Sequence, residues 1–232
     1  MISFNGTNLE DVADVKIDDI RVSPITLNPV TRQRPIQWGQ EFVRTVGQAR
    51  TVTVTFALLK MNRDERFALL TDITKWALVG EVRNLSLPMM EGWHLEATCT
   101  GLPEPSYRMW WESKLRLTFT TMDNPYWTND NENTAALGRD INIGGNAPPL
   151  MRIERTIPSQ IANQSYSNGS ESMLFTTIPA GQLVIDCNRQ LSAVSGTSID
   201  RYLTPTSTYI MPRTGVQNIK GVGTIYYRER CL

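Results

Sequence analysis

"LTFTTMDNPYWTND", residues 117–130, decides how the chain is divided. Leu117 and Phe119 alternate with threonines, as in a strand with one face on a core. Pro125 lacks a ladder donor and stops the strand. Two large rings follow at Tyr126 and Trp127, and then the residues turn polar. A pair of rings at that point packs over the sheet edge where the polypeptide leaves one domain, which makes Tyr126 and Trp127 candidate interface residues.

The same period extends upstream. "SKLRLTFTT" sets Leu115, Leu117 and Phe119 against Lys114, Arg116 and Thr118. In "ARTVTVTFALLK", Val52, Val54, Phe56 and Leu58 share a face opposite Thr51, Thr53 and Thr55. Both read as half-buried antiparallel strands. "RNLSLPM" and "HLEATCTGL" supply two more. One helix interrupts them: "NRDERFALLTDITKWALVG" spaces Phe67, Leu70, Ile73 and Ala77 for a single apolar stripe, with Leu69 and Trp76 widening it. Asn62 is its expected N-cap, with Glu65 three residues on, and Gly80 its stop. Continuing the last strand back through "YRMWWE" puts Trp110 on the charged face beside Glu112 and Lys114, which marks it as a third candidate interface residue.

The expected fold class is mainly β (α+β). Residues 1–128 form a sheet-rich domain with one helix. Residues 129–140, rich in Asn, Asp and Thr, form a linker. Residues 141–220 carry short strands at close intervals and read as a β-sandwich, with a hairpin at Asp186–Arg189. Residues 221–232 close as a strand.

Lys plus Arg and Asp plus Glu both number 23, so no bulk field selects nucleic acid or an anionic membrane. No apolar run reaches the roughly 18–20 residues of a membrane helix, and the first 20 residues lack a signal-peptide pattern, so synthesis in a cytosol is expected. Cys99, Cys187 and Cys231 are far apart and odd in number, which favours thiols over a disulfide framework. Sequons at Asn5, Asn163 and Asn168 matter only in a secretory pathway.

Chemistry is sparse. His94 is the only histidine and lies in a strand pattern, without a nucleophile motif such as G-x-S-x-G. A surface or packing role fits it better than catalysis. Zinc would need His94 and three scattered cysteines to converge without any C-x-x-C pair. Asp123, Asp130 and Glu132 lack the spacing of a calcium loop. "IGGNAPP" has neither a dinucleotide nor a Walker pattern and reads as a turn. The expectation is therefore no catalytic, cofactor or metal residues and no enzyme.

The order of these pieces resembles the distal tail protein (Dit) family of long non-contractile-tailed bacteriophages and prophages. "NRDERFALLTDITKWAL" stands as the single helix, "LRLTFTTMDNPYW" as the last long strand, "INIGGNAPPLMRIE" as the opening of a second β domain and "GQLVIDCNRQ" as its late hairpin. The resemblance implies a virion structural protein at the distal end of the tail, made in the host bacterial cytoplasm. It implies that residues 1–128 form a homo-hexameric ring and that residues 141–220 are a galectin-like β-sandwich. Partners would be the tail tube protein and the tail-associated hub or fibre protein, with the tape measure or receptor-binding protein as further contacts. It also implies that residues 221–232 return to complete the first domain. The second domain holds no His or Trp, so the likeness transfers no lectin site. The alternative function is a host-surface carbohydrate-binding β-sandwich protein, with exposed rings such as Trp110 as stacking platforms.

Overall fold

The three valine and phenylalanine positions of "TVTVTF" are all fully buried, while the threonines between them are half-buried, so this strand is the centre of a one-sided sheet. The structure is a computed structural model that describes residues 1–33, 40–59, 62–103, 114–122 and 124–232. It is mainly β, as expected. The polypeptide forms two compact units, Met1–Trp127 and Thr128–Leu232.

The first unit contains β1 (Ser3–Phe4), β2 (Thr7–Asn8), α1 (Leu9–Val12), β3 (Val15–Val22), β4 (Leu27–Gln33), β5 (Gln40–Gly47), β6 (Thr51–Leu58), α2 (Arg63–Ala77), β7 (Arg83–Ser86), β8 (Trp93–Gly101) and β9 (Leu115–Thr121). Antiparallel pairing gives the order β3-β6-β9-β8-β7-β1-β2, and β4 and β5 form a separate hairpin. Val54 lies opposite Leu117 and Val52 opposite Phe119, which places the apolar side chains of β6 and β9 on one face. Phe4, Trp76 and Phe119 interlock there, with centroid separations of 5.1–6.2 Å. The Trp76 indole N–H also donates to the Thr7 carbonyl at 3.0 Å, tying the helix to β2.

Helix α2 forms where its spacing predicts. The Asn62 side chain accepts from the Asp64 N–H at 3.1 Å, and Gly80 has φ +73 just beyond the end. Leu70, Ile73 and Ala77 are buried, but Phe67 is 66% exposed and does not belong to the buried stripe. A second, one-turn helix, α1, adds to the single helix expected; Leu9 is its buried residue.

β10 (Trp127–Asn129) spans the junction of the units. The second unit then holds β11 (Asn133–Ala136), β12 (Asp140–Ile143), β13 (Ala147–Ile157), β14 (Ile161–Ser167), β15 (Ser172–Ile178), β16 (Gly181–Asp186), β17 (Leu191–Val194), β18 (Thr197–Ser198), β19 (Gly215–Asn218) and β20 (Thr224–Cys231). Its main sheet runs β11-β20-β13-β16-β17-β18; β14 and β15 form a hairpin, and β12 pairs antiparallel with the sequence-distant β19. Met151, Ile153, Tyr166, Phe175, Ile185 and Ile225, from five strands, meet in one apolar core. The segment read as a linker contains β11, which pairs with β20. Inside the second unit, the closing strand lies between β11 and β13, where apolar Ile225 faces the core. The Asp186–Arg189 hairpin is present, with Asp186 accepting from the Asn188 and Arg189 N–H groups.

Candidate functional site

Tyr126 and Trp127 end the first unit. The strand before them is held by paired bonds: the Arg50 N–H donates to Thr121 Oγ1 at 2.7 Å and the Thr121 N–H to the Arg50 carbonyl at 2.9 Å. Pro125 then interrupts the ladder, and Asn124 shapes the turn. Its side-chain oxygen accepts from the Tyr126 N–H at 3.2 Å, and its amide donates to Glu96 at 3.2 Å.

The two rings part company at this turn. Trp127 is 4% exposed, whereas Tyr126 is half-buried. The Arg50 guanidinium carbon lies 6.0 Å from the Trp127 ring centroid, at the outer limit of a cation–π contact. Burial lowers the pKa of Arg50 below the usual arginine value. Sequence reading missed Arg50, whose one signal was a charged residue at the entry to a strongly apolar strand. Trp110 lies outside the described residues.

Among the described residues, the surface depressions of the first unit include these two. One, about 450 Å³, is lined by Phe67, Leu70, Thr74, Lys75, Leu102 and Pro103 and has a mainly apolar wall. The other, about 300 Å³, lies on the opposite kind of surface, among Thr53, Thr55, Asp18, Asp19, Arg21 and Arg116. Its charges partly neutralise one another: Arg21 meets Asp19 at 2.6 Å, and Lys114 meets Asp18 at 3.6 Å.

In the second unit the polar chemistry is structural. Arg152 binds Glu132 through both terminal nitrogens and Glu154 through Nε, and stacks 4.6 Å from the Tyr226 centroid. Arg228 approaches the same Glu132 at 3.6 Å. The hydrogen bond from Arg152 and the adjacent charges hold the Glu132 carboxyl below the usual glutamate range. Tyr209 donates to Asp200 at 2.6 Å beside Ser192, and burial foremost raises its phenol pKa.

"IGGN" works as a clip for the C-terminal strand. Gly144 N–H donates to Glu229, Asn146 N–H to the Arg230 carbonyl, and Leu232 N–H to the Asn146 side chain. Gly145 has φ +86, and a Cβ there would collide with the Arg230 carbonyl oxygen. This is the turn expected from the sequence at 144–146, with a second role in seating β20.

His94 is 3% exposed in β8, opposite Ser86 of β7. Burial pushes the Cys187 thiol up to about 12. Among the described residues, no three His, Cys, Asp or Glu side chains are grouped to hold a metal ion, and no helix is long and apolar enough to cross a membrane.

No protein-family model matches the sequence, and no curated protein matches it either. Solved structures do. Two structures of the phage p2 baseplate in its activated conformation, with Sr and with Ca, align over 94% and 95% of this chain and 90% and 91% of theirs. Their identities are 8% and 9% and their TM-scores 0.43 and 0.35, values too low to carry an argument. The crystal structure of SPP1 Dit (gp 19.1), described as a paradigm of the hub adsorption apparatus in phages infecting Gram-positive bacteria, aligns with 100% of this chain and 98% of that one. Identity is 14% and the TM-score 0.75, so the protein has the fold of SPP1 Dit from end to end.

Proposed function

We propose that this protein is a structural component of a phage tail tip, a distal tail hub protein without enzymatic activity. The observation that carries the reading is the agreement of fold with SPP1 Dit over 100% of this chain and 98% of that one, both units included. Fold likeness at this identity does not by itself transfer function. The reading gains from the independent pattern of sequence pieces and from a polar chemistry used for holding loops and strands.

In this proposal the first unit assembles as a homo-hexameric ring, and the second is its galectin-like outer domain. The ring joins the tail tube protein above to the tail-associated hub or fibre protein below, and the protein resides at the distal end of the virion tail. A ring needs two different patches on each subunit. Tyr126, half-buried at the end of the first unit, is the contact residue favoured here. Trp127, buried at 4% exposure, anchors the exit of the polypeptide.

The test is light scattering over a concentration series, followed by negative-stain imaging of the largest species, for the protein alone and mixed with a tail tube protein. Six-fold rings in either sample support the proposal. A monomer in both, with no complex formed, overturns it.

A further inference from the structure

The sequence contains two Asn-Gly pairs, Asn5-Gly6 and Asn168-Gly169. Asn-Gly is the dipeptide most open to spontaneous deamidation, because glycine has no side chain to shield its backbone nitrogen. In that reaction the Gly nitrogen attacks the Asn Cγ and closes a five-membered succinimide. The bond from Cγ to the amide nitrogen Nδ2 breaks, that nitrogen leaves as ammonia with the proton from the backbone N–H, and water then opens the ring to aspartate or isoaspartate. Any hydrogen bond that holds the Asn amide or stiffens the turn slows the attack.

The structure treats the two pairs in opposite ways. The Asn168 side-chain oxygen accepts from the Ser170 N–H, the Ser170 hydroxyl and the Glu171 N–H at 2.8–3.2 Å, while its amide nitrogen donates to Glu171 Oε2 at 2.5 Å. Glu171 is itself held by the Met211 N–H and by Arg213. That turn is locked from both sides. Asn5 and Gly6, in contrast, are exposed and form the two-residue turn between β1 and β2, with φ of 53 and 78. The Asn5 backbone N–H is bonded to the Asn84 carbonyl at 3.0 Å, but among the described residues no bond engages its side chain. The flanking strands are two residues long, so few ladder bonds must break for the turn to open.

We infer that Asn5 is a site of spontaneous deamidation in the folded protein and that Asn168, with the same dipeptide, is protected. Isoaspartate at Asn5 inserts an extra backbone carbon into a two-residue turn. The strain falls on adjacent Phe4, which is 1% exposed and packs against Phe119 and Trp76. Ageing at this turn therefore loosens the edge of the first unit's core and leaves the second unit unchanged.

The test is peptide mapping by mass spectrometry of the full-length protein, incubated in mildly alkaline buffer with and without denaturant. In the folded protein Asn5 converts at least about tenfold faster than Asn168, the ratio expected when one turn opens locally and the other is held. In denaturant the two convert at comparable rates. Equal rates in the folded protein overturn the inference, as does an Asn168 that stays resistant in denaturant, since protection would then lie in the flanking sequence.

Discussion

The two units reach order by different means. The first has a regular period, a sheet with α2 on its apolar face and an aromatic knot of Phe4, Trp76 and Phe119. The second lacks an α-helix and has a core made largely of isoleucine; polar side chains hold its irregular stretches. Asn146 holds the C-terminus, Asn188 bonds the Met151 N–H and the Pro149 carbonyl, and Glu171 catches the Met211 N–H. A helix-covered sheet is specified by hydrophobic spacing. A unit without an α-helix needs individual hydrogen bonds to choose among similar loop paths.

Despite this difference, the units manage open strands alike. β3 pairs only with β6 among the described residues and carries a register shift between Ile17 and Asp19, with charged Lys16 and Asp18 beside it. In β14 the pairing skips Asn163, which has φ +53. An irregular outer strand resists strand addition by another polypeptide. In the proposed ring, contact through faces and loops therefore fits better than continuous sheet formation.

The sharpest test of the contrast is Phe119→Ala. Truncating a fully buried phenylalanine costs about 3–5 kcal/mol. The loss is expected in the first unit alone, seen as faster hydrogen exchange in β6, β8 and β9 with exchange in the second unit unchanged. Spread of the effect into β13 and β20 would show that the units fold as one body.

Next in size is Gly145→Ala, expected to cost on the order of 3 kcal/mol, because alanine at φ +86 is strained and its Cβ meets the Arg230 carbonyl. Thermal unfolding should fall, with protection lost first in β20. An unchanged melting temperature would remove the clip from the account.

Glu171→Ala comes third, at about 1–2 kcal/mol, since it frees the Met211 N–H and Arg213. Acid should mimic this change. Burial works to raise the Glu171 pKa, but the Met211, Asn168 and Arg213 interactions outweigh it and leave the carboxyl below its usual value. Glu132 is lowered as well, by Arg152 foremost. A depressed folded pKa gives stability that is present above the unfolded value of about 4.3 and is lost as the pH falls through the folded value. Acid titration of the melting temperature should show the second unit weakening in that window, with a smaller drop in Glu171→Gln.

The smallest expected effect is Asn62→Ala, at about 1 kcal/mol from the lost N-cap of α2. Chemical denaturation of the first unit measures it. No loss would mean that packing of Leu70 and Ile73 alone holds the helix start.

Much of the first unit is legible in its residues alone. Alternation locates β6 and β9, and capping locates α2, because both signals are local. Phe67 shows the limit: it has helical spacing, yet it is 66% exposed, because burial is set by tertiary packing and not by spacing. β11 is harder still, since four residues of Asn, Thr and Ala become a strand only through pairing with β20. Of the candidate contact residues, the pair at 126 and 127 is visible as chemistry, but the split between buried Trp127 and half-buried Tyr126 is not.

The sequence by itself determined the mainly β class and the principal helix, because spacing and capping act over a few residues. Only the tertiary structure decided that Arg50 lies over Trp127, that the 144–146 turn clips the C-terminus more than 80 residues later and that one Asn-Gly pair is locked while the other is open. These are contacts between distant parts of the polypeptide. Their strength depends on burial and on paired hydrogen bonds, and neither exists until the strands have assembled.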